Sequence, residues 1–530
     1  MKEAIHRFNF LIMLILYVIF TSCKTVKTNI IYDELSDEIT IKQLANTSSL
    51  NVEPSKIYFT YKQNKRVISC PSNKKIKVVS SELSWCTTSV DKVRDNTLIE
   101  IQVTRNNGQD RTANITVSVG KTESIRIEVK QYSNVPVPIE GIPILAWFGV
   151  HEHTVERYRE MKEAGMDISL AFCANMNVLA TAMDAANTAG AKILINCPEV
   201  DNDTENLVNR FKDHPALAGY FIGPDEPWED KYPDVGARVK KVQAFDNEHF
   251  RYVNLGLVIS TPTVEKYKSC FEYFLREVPV TLLSDDDYPI MLDNNEERFL
   301  SHRWWIVLRA LSETAKKEGI PWWGFVLTTK HSVTWDEPNR IFPEPTIADL
   351  RFQVYCNLAY GAQGIQYFTY LDDGSMPESK GPIKNGTKTN IWYTVQQMSR
   401  EIKGLSSVFL GAQVIKVEHF AINATGENGT LPNSTMRFDF ANRPAEAQII
   451  TKVAPANGTN GVVSFLKNGN RCYMIIINSN LEGGSNMSIT ITGGEGLQLI
   501  KKDGTIVPVS SESNNQTVTP GDVLIYGWDY

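Results

Sequence analysis

Apolar and polar positions along this chain follow three rhythms in succession. Between about 30 and 133, short runs alternate between the two: Ile57–Tyr61, Ile76–Val79, Leu98–Val103, Ala113–Val119 and Ile125–Val129. A period of two puts one face of each run on a core and the other in water. Runs at this spacing, separated by polar turns, predict an all-β sandwich of about 100 residues. A short Pro-punctuated linker, 133–141, follows, and the rhythm then changes. Apolar runs at Ile142–Val150, Met166–Phe172, Ala191–Cys197, Leu217–Ile222, Phe250–Leu257, Val280–Leu283, Trp322–Leu327 and Gly364–Tyr370 are separated mostly by amphipathic helical stretches such as Thr154–Ala164 and Val178–Ala189. Eight such units in about 270 residues predict a (β/α)8 barrel. A doubly wound sheet is the alternative, but it usually needs fewer strands, and no GxGxxG or Walker loop supports it. From about 412 strands return, at Ala412–His419, Met436–Phe440, Val462–Lys467, Cys472–Asn478, Met487–Thr492 and Pro520–Tyr526, with turns rich in Asn and Gly.

The predicted fold class is therefore multidomain, α/β plus β. It comprises an N-terminal Ig-like β-sandwich (30–133), a central (β/α)8 TIM barrel (138–411) and a C-terminal β-sandwich (412–530), the last expected to buttress the barrel.

The first 22 residues read differently. Lys2 and Arg7 precede an apolar stretch from Phe8 to Phe20 and then Thr21-Ser22-Cys23, the layout of a signal peptide. The stretch is short for a membrane span, which needs about 20 apolar residues. Thr21-Ser22-Cys23 resembles the lipobox of a bacterial lipoprotein, with Phe20 where Leu is usual. The resemblance implies lipidation at Cys23 and a soluble ectodomain anchored to a membrane, at the cell surface or in the periplasm as an outer-membrane lipoprotein. An ordinary signal peptide with an incidental Cys is the alternative.

Composition narrows the classes. Apolar residues make up 42% and charged residues 22%, ordinary for a globular protein. A net charge of −7, with no basic stripe, argues against nucleic acid as a partner. Besides Cys23 there are cysteines at 70, 86, 173, 197, 270, 356 and 472. Scattered, odd in number and without a CxxC pair, they suit neither a disulfide framework nor a zinc site. Buried free thiols are expected for most, with a Cys70–Cys86 bridge left open. No His pair with a carboxylate stands at ligand spacing, so no metal or other cofactor is expected.

The chemistry concentrates at predicted strand ends. Leu217–Ile222 runs into Gly223-Pro224-Asp225-Glu226-Pro227, and counting makes this the end of strand four. Side chains at the C-terminal ends of barrel strands reach the site. A Glu half shielded there by aromatics can hold a raised pKa and act as a general acid. Strand six ends in Asp285-Asp286-Asp287-Tyr288-Pro289, and Asp286 shares the inward face of Leu282 and Ser284 in a period-two strand. Strand seven, 322–331, contains no Glu; Glu337, in the following loop, is the substitute partner. Other strand ends carry Trp147, His151, Glu199, Asn254, Tyr288, His331, Gln366, Tyr367, Tyr370 and Asp372. Aromatics stack on the apolar faces of pyranose rings, and amides and carboxylates hold hydroxyls.

Two resemblances extend this reading. Ser84-Trp85-Cys86, Arg111–Ile115 and Ile127–Gln131 resemble a BACON domain, a module that commonly precedes carbohydrate-active domains in Bacteroidetes surface proteins. It either binds glycan or acts as a spacer. With no cluster of exposed aromatics, the spacer is favoured and Trp85 is expected in the core. Asp225-Glu226-Pro227 is similar to the Asn-Glu-Pro of clan A glycoside hydrolases, where the Glu is the acid/base. The family's Asn helps bind the sugar 2-hydroxyl; Asp225 could accept the same bond, and its charge would raise the Glu226 pKa. Clan A places its nucleophile Glu at strand seven, where this chain has none. The segment Tyr355–Tyr370 resembles the helix-to-strand-eight segment of galactosidase-like Bacteroidetes barrels, and Pro520–Tyr526 the final strand of the small sandwich that follows many such barrels. The likeness covers about 140–530. It implies a glycoside hydrolase cleaving β-glycosidic bonds of a polysaccharide or oligosaccharide by two-carboxylate, retaining catalysis. Glu226 would be the acid/base, Asp286 the nucleophile or base and Glu337 the alternative partner, with Asp225 among the sugar-binding residues. Carbohydrate is the expected partner, and the likeness leaves room for other polysaccharide-utilisation proteins. A non-catalytic surface glycan-binding lipoprotein with a degenerate barrel is the alternative. A purely structural scaffold is disfavoured by the acid- and aromatic-rich strand ends.

Overall fold

The computed structural model describes residues 38–40, 56–59, 64–71, 75–93, 96–106, 109–120, 123–132, 139–293, 295–333, 340–420, 438–456, 460–481, 484–509 and 514–530. The expected leader, Cys23 and Glu337 lie outside the described residues. No helix among those described is long and apolar enough to cross a membrane.

Eight parallel strands form one sheet. Strand one is Ile144–Trp147, two Ile168–Phe172, three Lys192–Asn196, four Leu217–Phe221, five Phe250–Tyr252, six Leu283–Asp285, seven Trp322–Leu327 and eight Gly364–Phe368. Their order is five-four-three-two-one-eight-seven-six. The two edges meet through a parallel bridge between Leu255 and Asp285. There Leu255 N donates to Ser284 O (3.1 Å) and Asp286 N to Leu255 O (2.8 Å). The sheet thus curls, TIM-like, and all eight apolar runs of the sequence supply its strands.

The runs are nearly continuous in apolar residues because both faces are buried. Leu145, Trp147, Ile168, Leu170, Leu194, Tyr252, Leu282 and Phe325 pack inside. Ile144, Ile193, Ile195, Ile365 and Tyr367 face the helical layer. Strand four breaks register against strand three between Ile193 and Leu194. A side chain at Gly219, inside this irregularity, would collide with the Phe250 backbone, so close packing of strands four and five there requires glycine. Helices start on side-chain caps, as at Thr154, Asn175 and Thr346, the last forming a reciprocal capping box with Asp349. The segments after strands six and seven build a small antiparallel sheet in the order Arg298–Leu300, Ile290–Leu292, Arg340–Phe342, His331–Val333.

The described residues between 38 and 131 form two four-stranded sheets around a core that includes Ile57, Phe59, Ile99, Ile115, Val129 and Trp85. The apolar pattern missed three strands here, Glu38–Thr40, Asn64–Pro71 and Cys86–Val93. The first and the last are sheet edges, where polar residues are the rule. The Cys70–Cys86 bridge does not form: Cys86 is a buried free thiol. Cys70 pairs in register with Thr97 and Cys86 with Val103. That separation of six residues along one strand is roughly 20 Å, far beyond disulfide reach.

These sheets touch the barrel through Asp184, on helix Met176–Ala189. It accepts hydrogen bonds from Lys130 Nζ (2.9 Å), Lys56 Nζ (3.2 Å), Tyr58 (3.3 Å) and Tyr132 (3.4 Å). His214, fully buried beside them, accepts at Nδ1 from Ala216 N (3.1 Å), so its proton lies on Nε2, against the Tyr132 oxygen (2.8 Å).

Toward the C-terminus a six-stranded sheet and a three-stranded sheet face each other. Along Arg471–Asn478, Cys472, Met474 and Ile476 fill the space between the two sheets, while Tyr473, Ile475 and Ile477 join the core that lines the barrel helices. The strand expected at Met436–Phe440 is not one where described. Asp439 Oδ1 accepts from Ala441 N and its Oδ2 from Asn442 Nδ2, and this local pairing winds Phe440–Asn442 into a 3-10 turn.

Candidate active site

The floor of the barrel mouth is a buried polar network. The Tyr252 hydroxyl donates to Gln366 Oε1 (2.6 Å) and lies 2.9 Å from Ser284 Oγ; Gln366 Nε2 also donates to Ser284 Oγ (2.9 Å). Ser284 Oγ donates to Asn254 Oδ1 (3.0 Å), and Asn254 Nδ2 to Asp225 Oδ1 (3.2 Å). Strands five, six and eight are thereby tied to the loop that follows strand four. Every donor in the chain has an acceptor, which a buried network needs in order to be rigid.

Glu226 stands above this floor. It adopts φ +49°, a left-handed conformation that non-glycine residues rarely hold and that costs of order 1–2 kcal/mol. Its N–H donates to Asn254 O (3.2 Å). Its carboxyl lies against the bare Cα of Gly256: a side chain at 256 would place Cβ 2.6 Å from Oε2 and nearer still to Cδ. Burial pushes the Glu226 pKa up, the Asp225 charge pushes it further and Arg340 opposes both, leaving it at about 7. Asp225 is raised to about 6, by burial first, with the Asn254 and Glu226 hydrogen bonds opposing. Both residues present substantial surface to water, yet protein crowds the carboxyls from the other sides.

Asp286 continues the inward face of Leu282 and Ser284. Burial and then the charges of Glu226, Asp285 and Asp225 hold its pKa well above the usual carboxylate range. Glu226 and Asp286 therefore titrate as an interacting pair. Asp285 and Asp287 have other duties. Asp285 Oδ1 accepts from Leu257 N (2.9 Å), fixing the loop that carries Gly256, and Asp287 Oδ2 accepts from Arg303 Nε (3.2 Å).

Tyr288 closes one side of the mouth. Its ring packs on Phe342 and Phe368, each 5.8 Å away, and on Phe325 (6.2 Å). Its buried hydroxyl has no hydrogen-bond partner among the described residues and lies within the field of Asp286, Glu226 and Asp225, which, after burial, raise its pKa. His331 is 3% exposed. It donates from Nδ1 to Thr329 O (2.9 Å) and stacks on Phe342 at 4.7 Å; burial holds its pKa down.

The structure thus gathers Asp225, Glu226, Asn254, Asp286, Tyr288 and Gln366, with His331 behind the Phe342 wall. Other sequence-nominated residues lie elsewhere. Trp147 fills the barrel interior, edge-on to Phe325 (5.2 Å) and Phe221 (5.7 Å), so it offers no open face to a sugar. Tyr367 points to the helical layer, its hydroxyl 3.4 Å from Ser399 Oγ. Odd and even positions of a strand face opposite ways, so with Gln366 inward Tyr367 must face out. Tyr370 is buried in that same outer core. Glu199 accepts from Met176 N (3.4 Å) and lies beside Cys173 and Cys197. His151 is exposed after strand one, with Asp373 as its charged neighbour. Asp372 is engaged by Ser379 and Lys384. The sequence reading missed Tyr252, Gly256 and Arg340. A glycine just past strand five was the visible signal for Gly256. Arg340 carried none, since it enters from an insertion.

A separate cavity of about 240 Å3 lies between helix His302–Glu318 and strand Gln413–Phe420. Two of its lining charges pair, Arg309 with Glu313 (2.7 Å), and Glu313 is its single lining carboxylate among the described residues.

The fold and mouth define a class: a TIM-like barrel with interacting carboxyls at the C-terminal ends of strands four and six. No protein-family model matches the chain, and no curated protein sequence matches it. Among solved structures it is similar to a Bacteroides ovatus GH5 xyloglucanase in complex with a XXXG heptasaccharide (16% identity, 66% of this chain and 98% of that one, TM-score 0.29). It is also similar to an Anoxybacillus alpha-amylase (10%, 73% and 98%, TM-score 0.40). A third is a GH27 β-L-arabinopyranosidase variant from Geobacillus stearothermophilus in complex with arabinose (7%, 71% and 61%, TM-score 0.28). All three are glycoside hydrolases. At such low TM-scores the likenesses carry no residue roles and no substrate to this chain.

Proposed function

We propose that this protein is a glycoside hydrolase that cleaves β-glycosidic bonds of a polysaccharide or oligosaccharide, with Glu226 as acid/base and Asp286 as its partner. The observation that carries the reading is the interacting Glu226–Asp286 pair at one barrel mouth, with Glu226 near pKa 7. A general acid must hold its proton at the working pH, and a pKa near neutrality satisfies this. The two-carboxylate mechanism then runs on this chain's own groups. Glu226 donates its proton to the leaving glycosidic oxygen, while ionised Asp286 attacks the anomeric carbon. Glu226, now a base, takes a proton from the water that releases the sugar. While Glu226 keeps its proton it is neutral and leaves Asp286 the single charge of the pair; once Asp286 is esterified by the sugar its charge is gone, and Glu226 can ionise and serve as the base, so pair coupling suits the exchange. Asn254 and Asp225 are placed to hold a sugar hydroxyl, and Tyr288 offers its free hydroxyl to Asp286 or the ring oxygen. Cys23 would anchor the enzyme to the outer membrane, the N-terminal sheets serving as a BACON-like spacer, with sandwich, barrel and sandwich spanning 30–133, 138–411 and 412–530.

The second reading, a glycan-binding protein with a degenerate barrel, draws on strand seven, which is followed by Thr328 and Thr329 where clan A would carry its nucleophile. One experiment separates the two. Purified protein incubated with a broad panel of polysaccharides should release reducing ends from at least one. Glu226→Gln should lower that rate at least 10³-fold while binding persists. Binding across the panel without turnover would sink the enzyme reading and leave the binding protein.

A further inference from the structure

The mouth is lined unequally. Over strands six to eight it is closed by the small antiparallel sheet, whose Phe342 packs on Tyr288 and His331 and whose Arg340 reaches into the field of Glu226. Over strands one to four it is open, and three large aromatics stand uncovered there. Phe148, after strand one, is 37% exposed; Phe172, ending strand two, is 56% exposed; Trp228, two residues beyond Glu226, is 74% exposed. We infer that this open arc is an aromatic subsite track for the outward-running units of a β-linked glycan chain, with Trp228 as its principal platform. The inference rests on the glycosidase reading and extends it from one bond to a chain several sugars long.

Three exposed rings at the C-terminal ends of strands one, two and four stand on the rim that carries Glu226, and a ring with a free face there can stack on the apolar face of a sugar. The Trp228 backbone is held, since Lys231 N donates to its carbonyl at 2.8 Å and Pro227 before it is buried. Its side chain makes no hydrogen bond, ring contact or cation contact among the described residues. Phe172 follows the inward parity of Ile168 and Leu170, so it rises from the barrel lining at the rim. Phe148 takes φ +44°, a strained setting for an aromatic residue. Its ring lies 5.8 Å from Phe368, and that of Phe368 5.8 Å from Tyr288, so the open aromatics connect to the wall behind the carboxyls. Strand two lies two strand spacings from strand four, roughly 10 Å, and a ligand covering both needs more than one ring.

The pattern also selects the chemistry. The aromatics stand singly among polar neighbours: Glu229 and Asp230 after Trp228, Asn175 after Phe172, and His151 and Glu152 after Phe148. A protein-docking face would be a contiguous apolar patch. Isolated rings with hydrogen-bonding groups between them match the alternating apolar faces and hydroxyl edges of a saccharide.

The test uses the full chain carrying Glu226→Gln, so that ligand is not consumed. Calorimetric titration with β-1,4-linked xylo-, cello-, manno- and galacto-oligosaccharides of two to six units reads the dependence of affinity on length. Turnover by the unmodified enzyme is followed in parallel on the same ladders. One series should gain about tenfold in affinity beyond the disaccharide, and adding Trp228→Ala should erase most of that gain. Phe172→Ala should erase a smaller part, and Tyr393→Ala, an exposed aromatic on the outer helix Asn390–Gly404, none. Thermal unfolding should not move for any of them, since each ring is exposed. Turnover without a length-dependent gain, or with a gain that survives both Trp228→Ala and Phe172→Ala, overturns the track and leaves the glycosidase. A Trp228-dependent gain without turnover keeps the track and overturns the glycosidase. Neither binding nor turnover on any ladder overturns the track, and the glycosidase reading then stands or falls on the broad polysaccharide panel.

Discussion

Replacing Gly256 by alanine is the sharpest perturbation of the proposed acid, because it removes no carboxylate and only displaces one. The added methyl carbon would sit 2.6 Å from Glu226 Oε2, where ordinary contact begins at 3.4 Å. The carboxyl must retreat by the difference, about 0.8 Å, and by more at Cδ. What yields is the end of a flexible side chain, so folding loses little; Gly256 has no left-handed φ that alanine would strain. A displacement near 1 Å at a reacting group costs on the order of 100-fold in rate, or about 2.7 kcal/mol of barrier. The assay is kcat on whichever glycan the unmodified protein hydrolyses, with thermal unfolding measured alongside. The expected result is a loss of one to two orders of magnitude in kcat with the melting temperature held to within a degree or two. A kcat within threefold of the unmodified enzyme would refute the claim that the Gly256 seat positions the acid. A comparable rate loss with a collapsed melting temperature would also refute it, since the fold rather than the acid would then be responsible.

Two further outcomes follow from the charges. Only the protonated form of Glu226 donates, so kcat/KM should fall as pH rises through about 7. Asp225 raises that value, so Asp225→Asn should move the alkaline limb to lower pH; an unmoved or upward-shifted limb would show that Asp225 does not act on Glu226. Asp184 should matter for stability alone. Burial by itself would raise its pKa, but the His214 imidazole 3.7 Å away and the hydrogen-bonded Lys130 ammonium outweigh this and hold it well below the usual range. A depressed carboxyl stabilises above its unfolded pKa of about 4 and loses that contribution as pH falls toward the folded value. Asp184→Asn should therefore cost roughly 2–4 kcal/mol at pH 7, and the gap to the unmodified protein should narrow by pH 3, as read by denaturant unfolding. A gap of equal size at both pH values would place the loss in packing rather than charge.

Much of this was present in one dimension. The eight apolar runs announced the parallel strands because a strand buried on both faces must be apolar throughout, and that demand is local. Their count put Glu226 at the end of strand four. Parity along strand six turned Asp286 rather than Asp285 or Asp287 inward, because alternation is built into the backbone. What failed were the elements whose residues answer to neighbours. Asn64–Pro71 and Cys86–Val93 are strands through pairing, not through pattern, and Asp439 trades a strand for a turn by bonding its own backbone. Sugar-contacting residue types at strand ends also misled. Trp147, Tyr367 and Tyr370 are aromatics of the right kind at the right ends, but their rings serve the core, and side-chain facing depends on packing across the barrel.

The sequence alone, then, determined the eight barrel strands, their order along the chain and the position of Glu226 after the fourth, since these follow from hydrophobic period and chain direction, and it left the partner carboxyl open between Asp286 and Glu337. Only the tertiary structure decided that Asn254, Ser284, Tyr252 and Gln366, from separate strands, form one network beneath Asp225, that bare Gly256 seats Glu226, and that Arg340 arrives from an insertion. Proximity across strands is set by curvature, register and closure of the sheet, and so are the pKa values that depend on it. No linear pattern encodes them.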